Sequence, residues 1–194
     1  MVYGKLTNKE KANKMIESLA VLAEKNSHID PELYGKHNVK IGLRNSDGTG
    51  VLVGLTEIGD VHAYIMENKT KVPVEGKLIY RGIDVSDMVQ GFQKEKRFGF
   101  EECCYLLLFG DLPKREELEE FKWLLAEHRE LPEGFTRDLI LKAPSKDIMN
   151  KLARSVLAAY SYDENPDDTG IANVIRQSTE LIARFPTLAA YGYQ

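Results

Sequence analysis

Ile171-Ala172-Asn173-Val174-Ile175-Arg176-Gln177-Ser178-Thr179-Glu180-Leu181-Ile182-Ala183-Arg184-Phe185 is the stretch that settles the fold class. Ile171, Val174, Ile175, Ser178, Leu181, Ile182 and Phe185 recur at steps of three and four, which is one face of a helix. Pro186 has no N–H to give and is expected to kink or interrupt that helix, with Leu188-Ala189-Ala190-Tyr191 continuing it. Just upstream, Asn165-Pro166-Asp167-Asp168 reads as a loop, with Asp168 or Thr169 as the helix N-cap. Further back, Ser145 is a good N-cap for a helix carrying Ile148, Leu152, Val156 and Ala159. Pro132 and Pro144 bracket a segment before it. Pro113 suits the first turn of a helix with Leu118, Phe121, Leu125 and His128 on its stripe. Phe100, Cys103, Cys104, Leu107 and Leu108 mark another, ended by Gly110, and Asp84 to Val89 a short one.

Ahead of residue 84 the period changes. Val51, Val53 and Leu55 alternate with other residues, and so do Val61, Ala63 and Ile65, which is a strand signal. Gly59-Asp60 is read as the hairpin turn between the two runs, and Glu67-Asn68-Lys69 as a second turn. Leu78-Ile79-Tyr80 is a third short β segment between Gly76 and Gly82. At the start of the chain Thr7-Asn8-Lys9-Glu10 has the capping-box pattern, and Ala12, Met15, Ile16, Leu19, Leu22 and Ala23 line one helix face. Asn26 to Asp30 ends that helix, and Pro31 to about Val39 reads as irregular. The expected architecture is therefore mainly α, with one small β-hairpin region near the N-terminus. No Gly-, Ser- or Pro-rich linker divides the chain.

The 194 residues carry 26 Lys+Arg against 30 Asp+Glu, a net charge of -4 that disfavours nonspecific nucleic-acid binding. With 43% apolar and 29% charged residues the composition is that of a soluble globular protein and not of a disordered one. There is no apolar run long enough to span a bilayer and no signal-peptide core at the first residues, so a cytoplasmic protein is expected. The Asn68-Lys69-Thr70 sequon then has no role.

Motif by motif, chemistry fails for physical reasons. Asp168-Thr169-Gly170 has the letters of an aspartic-protease loop but precedes a helix, where capping is the simpler reading. Asp163, Asn165, Asp167 and Thr169 alternate like half a calcium loop, but the sixth and twelfth positions are Asp168 and Val174 instead of Gly and Glu. Gly48-Thr49-Gly50 with Gly54 is a broken dinucleotide motif with no helix behind it. His28, His37, His62 and His128 stand at no metal-ligand spacing, so no metal site is expected. His128 falls at a helix C-terminus, where a cation is favourable, and His62 falls out of phase with its apolar neighbours. Cys103 and Cys104 are neighbours on an apolar stripe and read as small buried groups. Arg44, after Gly42-Leu43 and before Asn45-Ser46-Asp47-Gly48, is placed either to grip a phosphate or to form a surface salt bridge.

Several strings in order resemble the citrate synthase family, of the type found in anaerobic Gram-positive bacteria. They are Gly42-Leu43-Arg44; Glu75-Gly76-Lys77-Leu78-Ile79-Tyr80-Arg81-Gly82-Ile83-Asp84-Val85; Phe98-Gly99-Phe100-Glu101-Glu102 running into Tyr105-Leu106-Leu107-Leu108-Phe109-Gly110-Asp111-Leu112-Pro113; Ala143-Pro144-Ser145-Lys146-Asp147; and Phe185-Pro186-Thr187-Leu188-Ala189-Ala190-Tyr191. The resemblance runs from about residue 32 to the end. It implies a transferase of the tricarboxylic acid cycle that joins acetyl-CoA to oxaloacetate, giving citrate and CoA, with an aspartate as base, a histidine stabilising the enol, and other histidines and arginines holding the carboxylates. Capping and periodicity give 1–30 as an N-terminal amphipathic helix, and the resemblance implies 31–194 as the N-terminal part of the family's helical large domain, truncated, with the catalytic second half absent. The family's His-Gly-Gly-Ala-Asn and Gly-His-Arg/Ala-Val-Tyr strings do not occur here, so no catalytic residue is carried over and the chain is expected to be an inactive fragment. Arg44 alone is carried over, as a contact to a CoA phosphate; Leu43 departs from the family's methionine at that point. No tightly bound cofactor is implied, only acetyl-CoA and CoA as substrate and product. The partner implied is a second copy, through helices near 147–161 and 171–190. A 2-methylcitrate synthase fragment, taking propionyl-CoA, and a non-catalytic helical adaptor are the rival readings.

Overall fold

The computed structural model describes residues 7–30, 32–37, 54–68 and 70–193. They form two compact units, Met1–Val21 with Arg115–Gln194 and Leu22–Lys114. The first helix, α1 (Asn8–Asn26), contributes residues to both. Its start is the capping box read from sequence: Thr7 N–H donates to Glu10 Oε2 at 2.8 Å, and Glu10 N–H to Thr7 Oγ1 at 3.3 Å. Ala12, Ile16, Leu19, Ala20 and Ala23 are its buried face.

Unit one, apart from α1, holds α5 (Arg115–Glu127), a π-helical turn (Thr136–Leu141), α6 (Ile148–Ala159), a 3-10 turn (Tyr160–Tyr162) and α7 (Ile171–Tyr193). Helix α7 is the hub, packing on α5, α6 and the π turn. Phe121 and Leu124 from α5 are fully buried, and Phe135, Ile140 and Leu188 form a cluster flanked by Leu131, Leu139, Leu152, Ala158 and Ala159. Each such large apolar side chain stabilises the fold by roughly 1.5–3 kcal/mol.

The register of α7 differs from the apolar stripe. Its buried positions are Ile175, Thr179, Ala183, Leu188 and Gly192, while Leu181 and Ile182 are half-buried. Small residues let the neighbouring helix come close. A Cβ on Gly192 would sit 3.1 Å from Ile148 Cδ1 and 3.7 Å from Lys151 Cδ. That approach lays the stem of Lys151 inside, at 4% exposure, while Leu157 of the same helix stands 74% exposed. Pro186 does not end α7, which runs unbroken to Tyr193. The local cost of proline is one missing i→i−4 bond, and the buried Leu188 and Gly192 beyond it hold the helix on.

Unit two, apart from α1, holds a short helix α2 (Glu32–Lys36), strands β1 (Gly59–Glu67), β2 (Thr70–Tyr80) and β3 (Ile83–Asp84), and helices α3 (Val85–Lys94) and α4 (Phe100–Phe109). The sheet is antiparallel in the order β1-β2-β3, and α3 packs on β2 and β3. Between the pairs His62↔Lys77 and Tyr64↔Pro73 the register shifts, so Val74 to Gly76 of β2 stand against Ala63 of β1. Tyr105, Leu106 and Phe109 are the buried face of α4, which ends on Gly110 at φ 89°.

The helical class and the small sheet agree with expectation, but several boundaries move. Gly59-Asp60 is not a turn: Gly59 pairs with Tyr80 and Asp60 with Ile79, so the two residues open β1. The reversal is at Asn68, whose φ of 49° suits asparagine, so the second expected turn is the hairpin. Leu55 precedes the strand, and Val51 and Val53 lie outside the described residues. Leu78-Ile79-Tyr80 is the end of an 11-residue strand. Residues 32–36, expected to be irregular, form α2, with Asp30 Oδ1 accepting from Glu32 N–H at 3.0 Å. Helix α3 runs on to Lys94, well past Val89. Helix α5 starts at Arg115, two residues after Pro113. The N-cap of α6 is Asp147, whose Oδ1 accepts from Met149 N–H (3.0 Å) and Asn150 N–H (3.1 Å); Ser145 Oγ accepts from Asp147 N–H instead. At α7 the cap position falls on Gly170, whose carbonyl accepts from Val174 N–H, while Asp168 Oδ1 accepts from Gly170 N–H in the turn before it.

Candidate functional site

Two cavities among the described residues, one in each unit, are lined by arginine. In unit two a cavity of about 550 Å³ is lined by Lys25, Asn26, His28, Glu57, Arg81 and Asp111 among others. Arg81 follows β2 in the left-handed region, at φ 48°. Its Nη1 donates to Asn26 O and its Nη2 to Leu107 O, both at 3.1 Å. Asn26 Nδ2 in turn donates to Phe109 O at 2.7 Å and to Asp111 Oδ2 at 2.9 Å. The last carbonyls of a helix have no partner within it and carry its negative dipole end. One guanidinium here serves the C-terminal turns of α1 and α4 together. Its Nε is buried without a hydrogen-bond partner.

In unit one a cavity of about 880 Å³ is lined by residues of α1, α5, α6, the 162–166 loop and α7. Arg176, Glu180 and Arg184 stand at i, i+4, i+8 on α7. Glu180 Oε1 accepts from Arg176 Nη1 at 2.9 Å, and Oε2 from Arg184 Nη1 at 2.8 Å. Arg176 Nη2 also reaches Asp163 Oδ1 at 2.6 Å, and Gln177 Nε2 reaches Asp163 Oδ2 at 2.9 Å. Burial pushes the Asp163 carboxyl up, but the Asn165 N–H, Gln177 and Arg176 together outweigh it and hold it below the usual carboxylate range. His128 Nδ1 lies 3.9 Å from Glu180 Oε1, with its side chain 20% exposed. Burial is the main reason its imidazole is held below the ordinary histidine value; Glu180 opposes this, and Arg184 and Arg176 add to it.

The expected site residues fall as follows. Arg44, with the Gly48 and Gly50 of the broken glycine motif, lies outside the described residues. His28, His37 and His62 are exposed. Cys103 and Cys104 are half-buried on α4, and burial, with the neighbouring Cys103 and Glu101, pushes the Cys104 thiol up to about 11. A thiol so placed stays protonated at neutral pH. Among the described residues no three His, Cys, Asp or Glu come together as metal ligands. The calcium-like alternation is put to other use: Asp163 holds Arg176, and the Asp167 carboxylate accepts from Tyr160 OH at 2.9 Å. Sequence reading passed over both arginine clusters. The spacing of Arg176, Glu180 and Arg184 was a usable signal. Nothing local to Arg81 announces that it meets residues 26 and 107.

A family model described as the C-terminal domain of citrate synthase matches residues 45–194. The citrate synthase of Corynebacterium glutamicum is 29% identical over 174 residues, which is 82% of this chain and 38% of that protein. That of Haloferax volcanii is 33% identical over 123 residues, 60% of this chain and 30% of that protein. Among solved structures, citrate synthase from Pyrobaculum aerophilum matches with a TM-score of 0.59 at 24% identity, over 78% of this chain and 37% of that one. This last likeness is one of fold. The chain spans little more than a third of the length of the first of these relatives. Among the described residues no helix is long and apolar enough to cross a membrane.

Proposed function

The chain belongs to the citrate synthase family, and from that premise we propose that it is a scaffold-bearing part of a cytoplasmic transferase that condenses acetyl-CoA with oxaloacetate and water to citrate and CoA. The observation that carries this is the family match over residues 45–194. The chain alone is proposed to be inactive. Removing a proton from a thioester methyl needs an uncommitted base beside a donor for the developing oxyanion. In the unit-one cavity, where His128 and Asp163 both stand, the carboxylate is committed to Arg176 and Gln177. The family's histidine strings do not occur in these 194 residues. Arg44 is proposed to hold a CoA phosphate.

A second copy is the proposed partner, through α6 and α7. Met149 and Leu157 on α6 and Val174, Phe185 and Tyr191 on α7 are exposed, an apolar surface that favours association.

The test is release of the CoA thiol after mixing acetyl-CoA with oxaloacetate, with a full-length relative as the positive control and propionyl-CoA in parallel. The 194-residue chain is expected to be silent; turnover by it would overturn the placing of the chemistry elsewhere. CoA binding that is weaker in Arg44→Ala would support the phosphate contact. Light scattering should show a dimer that Leu157→Glu dissociates.

A further inference from the structure

His128 stands where the end of α5 meets α7, within unit one. Its two ring nitrogens meet different surroundings. Nδ1 faces Glu180 Oε1 at 3.9 Å, beyond hydrogen-bond length, and Nε2 is buried with no hydrogen-bond partner. Glu180 accepts from Arg176 through one oxygen and from Arg184 through the other, so its charge is shared with two guanidinium groups before it meets the ring. The remaining charges around the ring come from every neighbouring element. Glu127 lies beside it at the end of α5 and accepts from Asn8 of α1 at 3.4 Å. Lys9 of α1 lines the same cavity, as do Asp163, which is bound to Arg176, and Glu164. Cations and anions here nearly balance, so they do not favour a protonated ring strongly. What separates the two forms is the dry Nε2. Protonation of the ring makes both nitrogens N–H donors, and the Nε2 donor would point at nothing.

We propose that His128 and the Arg176–Glu180–Arg184 cluster form a proton-sensitive latch between the end of α5 and the middle of α7, shut while the imidazole is neutral and loosened when it takes a proton. The direction of the pH effect follows from linkage. The folded chain holds the imidazole below its ordinary value of 6.5, so the unfolded chain binds the proton first as pH falls. The latch contributes its full stability above that ordinary value and loses it progressively as pH falls from there through the folded value.

The experiment is an NMR titration of the four imidazoles in the full chain, joined to urea unfolding at about pH 7.5 and about pH 5.5. The expected result is a His128 midpoint below the ordinary histidine value of 6.5. The unfolding constant should rise by a factor of at least about three on acidification in the native chain, and His128→Gln should remove that rise. Glu180→Gln should lower the His128 midpoint further, an effect that a purely structural role for His128 would not produce. A His128 midpoint at or above the ordinary value of 6.5 overturns the latch, and so does an unchanged pH dependence in His128→Gln. Should that variant fail to fold, the titration of the native chain decides alone.

Discussion

The arginines that line the two cavities have different main partners. In unit one Arg176 and Arg184 bind chiefly the Glu180 carboxylate on their own helix, and Arg184 Nε adds a bond to Glu130 O at 3.2 Å. In unit two Arg81 binds only backbone carbonyls, one at the end of α1 and one near the end of α4. The contrast separates two uses of the same side chain. Charge pairing along a helix is redundant, partly hydrated and sensitive to salt. A guanidinium spanning the ends of two helices answers carbonyls near the ends of both, and its loss takes both bonds away together.

Five substitutions would break or sharpen that contrast, all read by urea unfolding. The largest effect is expected for Arg81→Met, at about 3 kcal/mol, because two charge-assisted bonds to part-buried carbonyls go together. An effect no larger than that of Arg176→Met would erase the distinction. Gly110→Ala comes next, at about 2 kcal/mol: the residue sits at φ 89°, and a Cβ would meet Asn26 Cβ at 2.7 Å, pushing on the side chain that caps α4. Arg176→Met should cost about 1.5 kcal/mol in low salt and less in 1 M salt, whereas the cost of Arg81→Met should hardly change with salt. Asp147→Ala removes an N-cap and should cost about 1 kcal/mol. Val61→Thr should stay within about 0.5 kcal/mol, because Val61 is 78% exposed on β1.

The positions at which sequence reading and structure part share a cause. The Thr7 capping box and the Gly110 stop were readable because their partners lie within four residues. The hairpin was placed one turn too early because Gly59 looks like a turn residue on its own; only its pairing with Tyr80, 21 positions away, makes it a strand residue. Ser145 and Asp147 are both good caps by type, and local geometry selected the second. On α6 the apolar stripe named Ile148, Leu152 and Val156, yet Lys151 and Ser155 are the buried pair. Hydrophobicity ranks side chains, but the small residues of α7 determine which ones fit beneath it. For the candidate site less was legible. Arg44 was the one ligand carried over and lies outside the described residues, and Arg81 was quoted only as a letter in a string.

Periodicity, caps and composition were enough for a mainly helical chain with a small antiparallel sheet, and the order of short strings was enough for the family. These signals are local, or linear along the chain, so they survive without coordinates. The burial of Lys151, the guanidinium shared by α1 and α4, and the dry nitrogen of His128 are different in kind. Each depends on atoms distant in sequence meeting at contact distance, where desolvation and packing set the energy. Only the folded chain brings those atoms together.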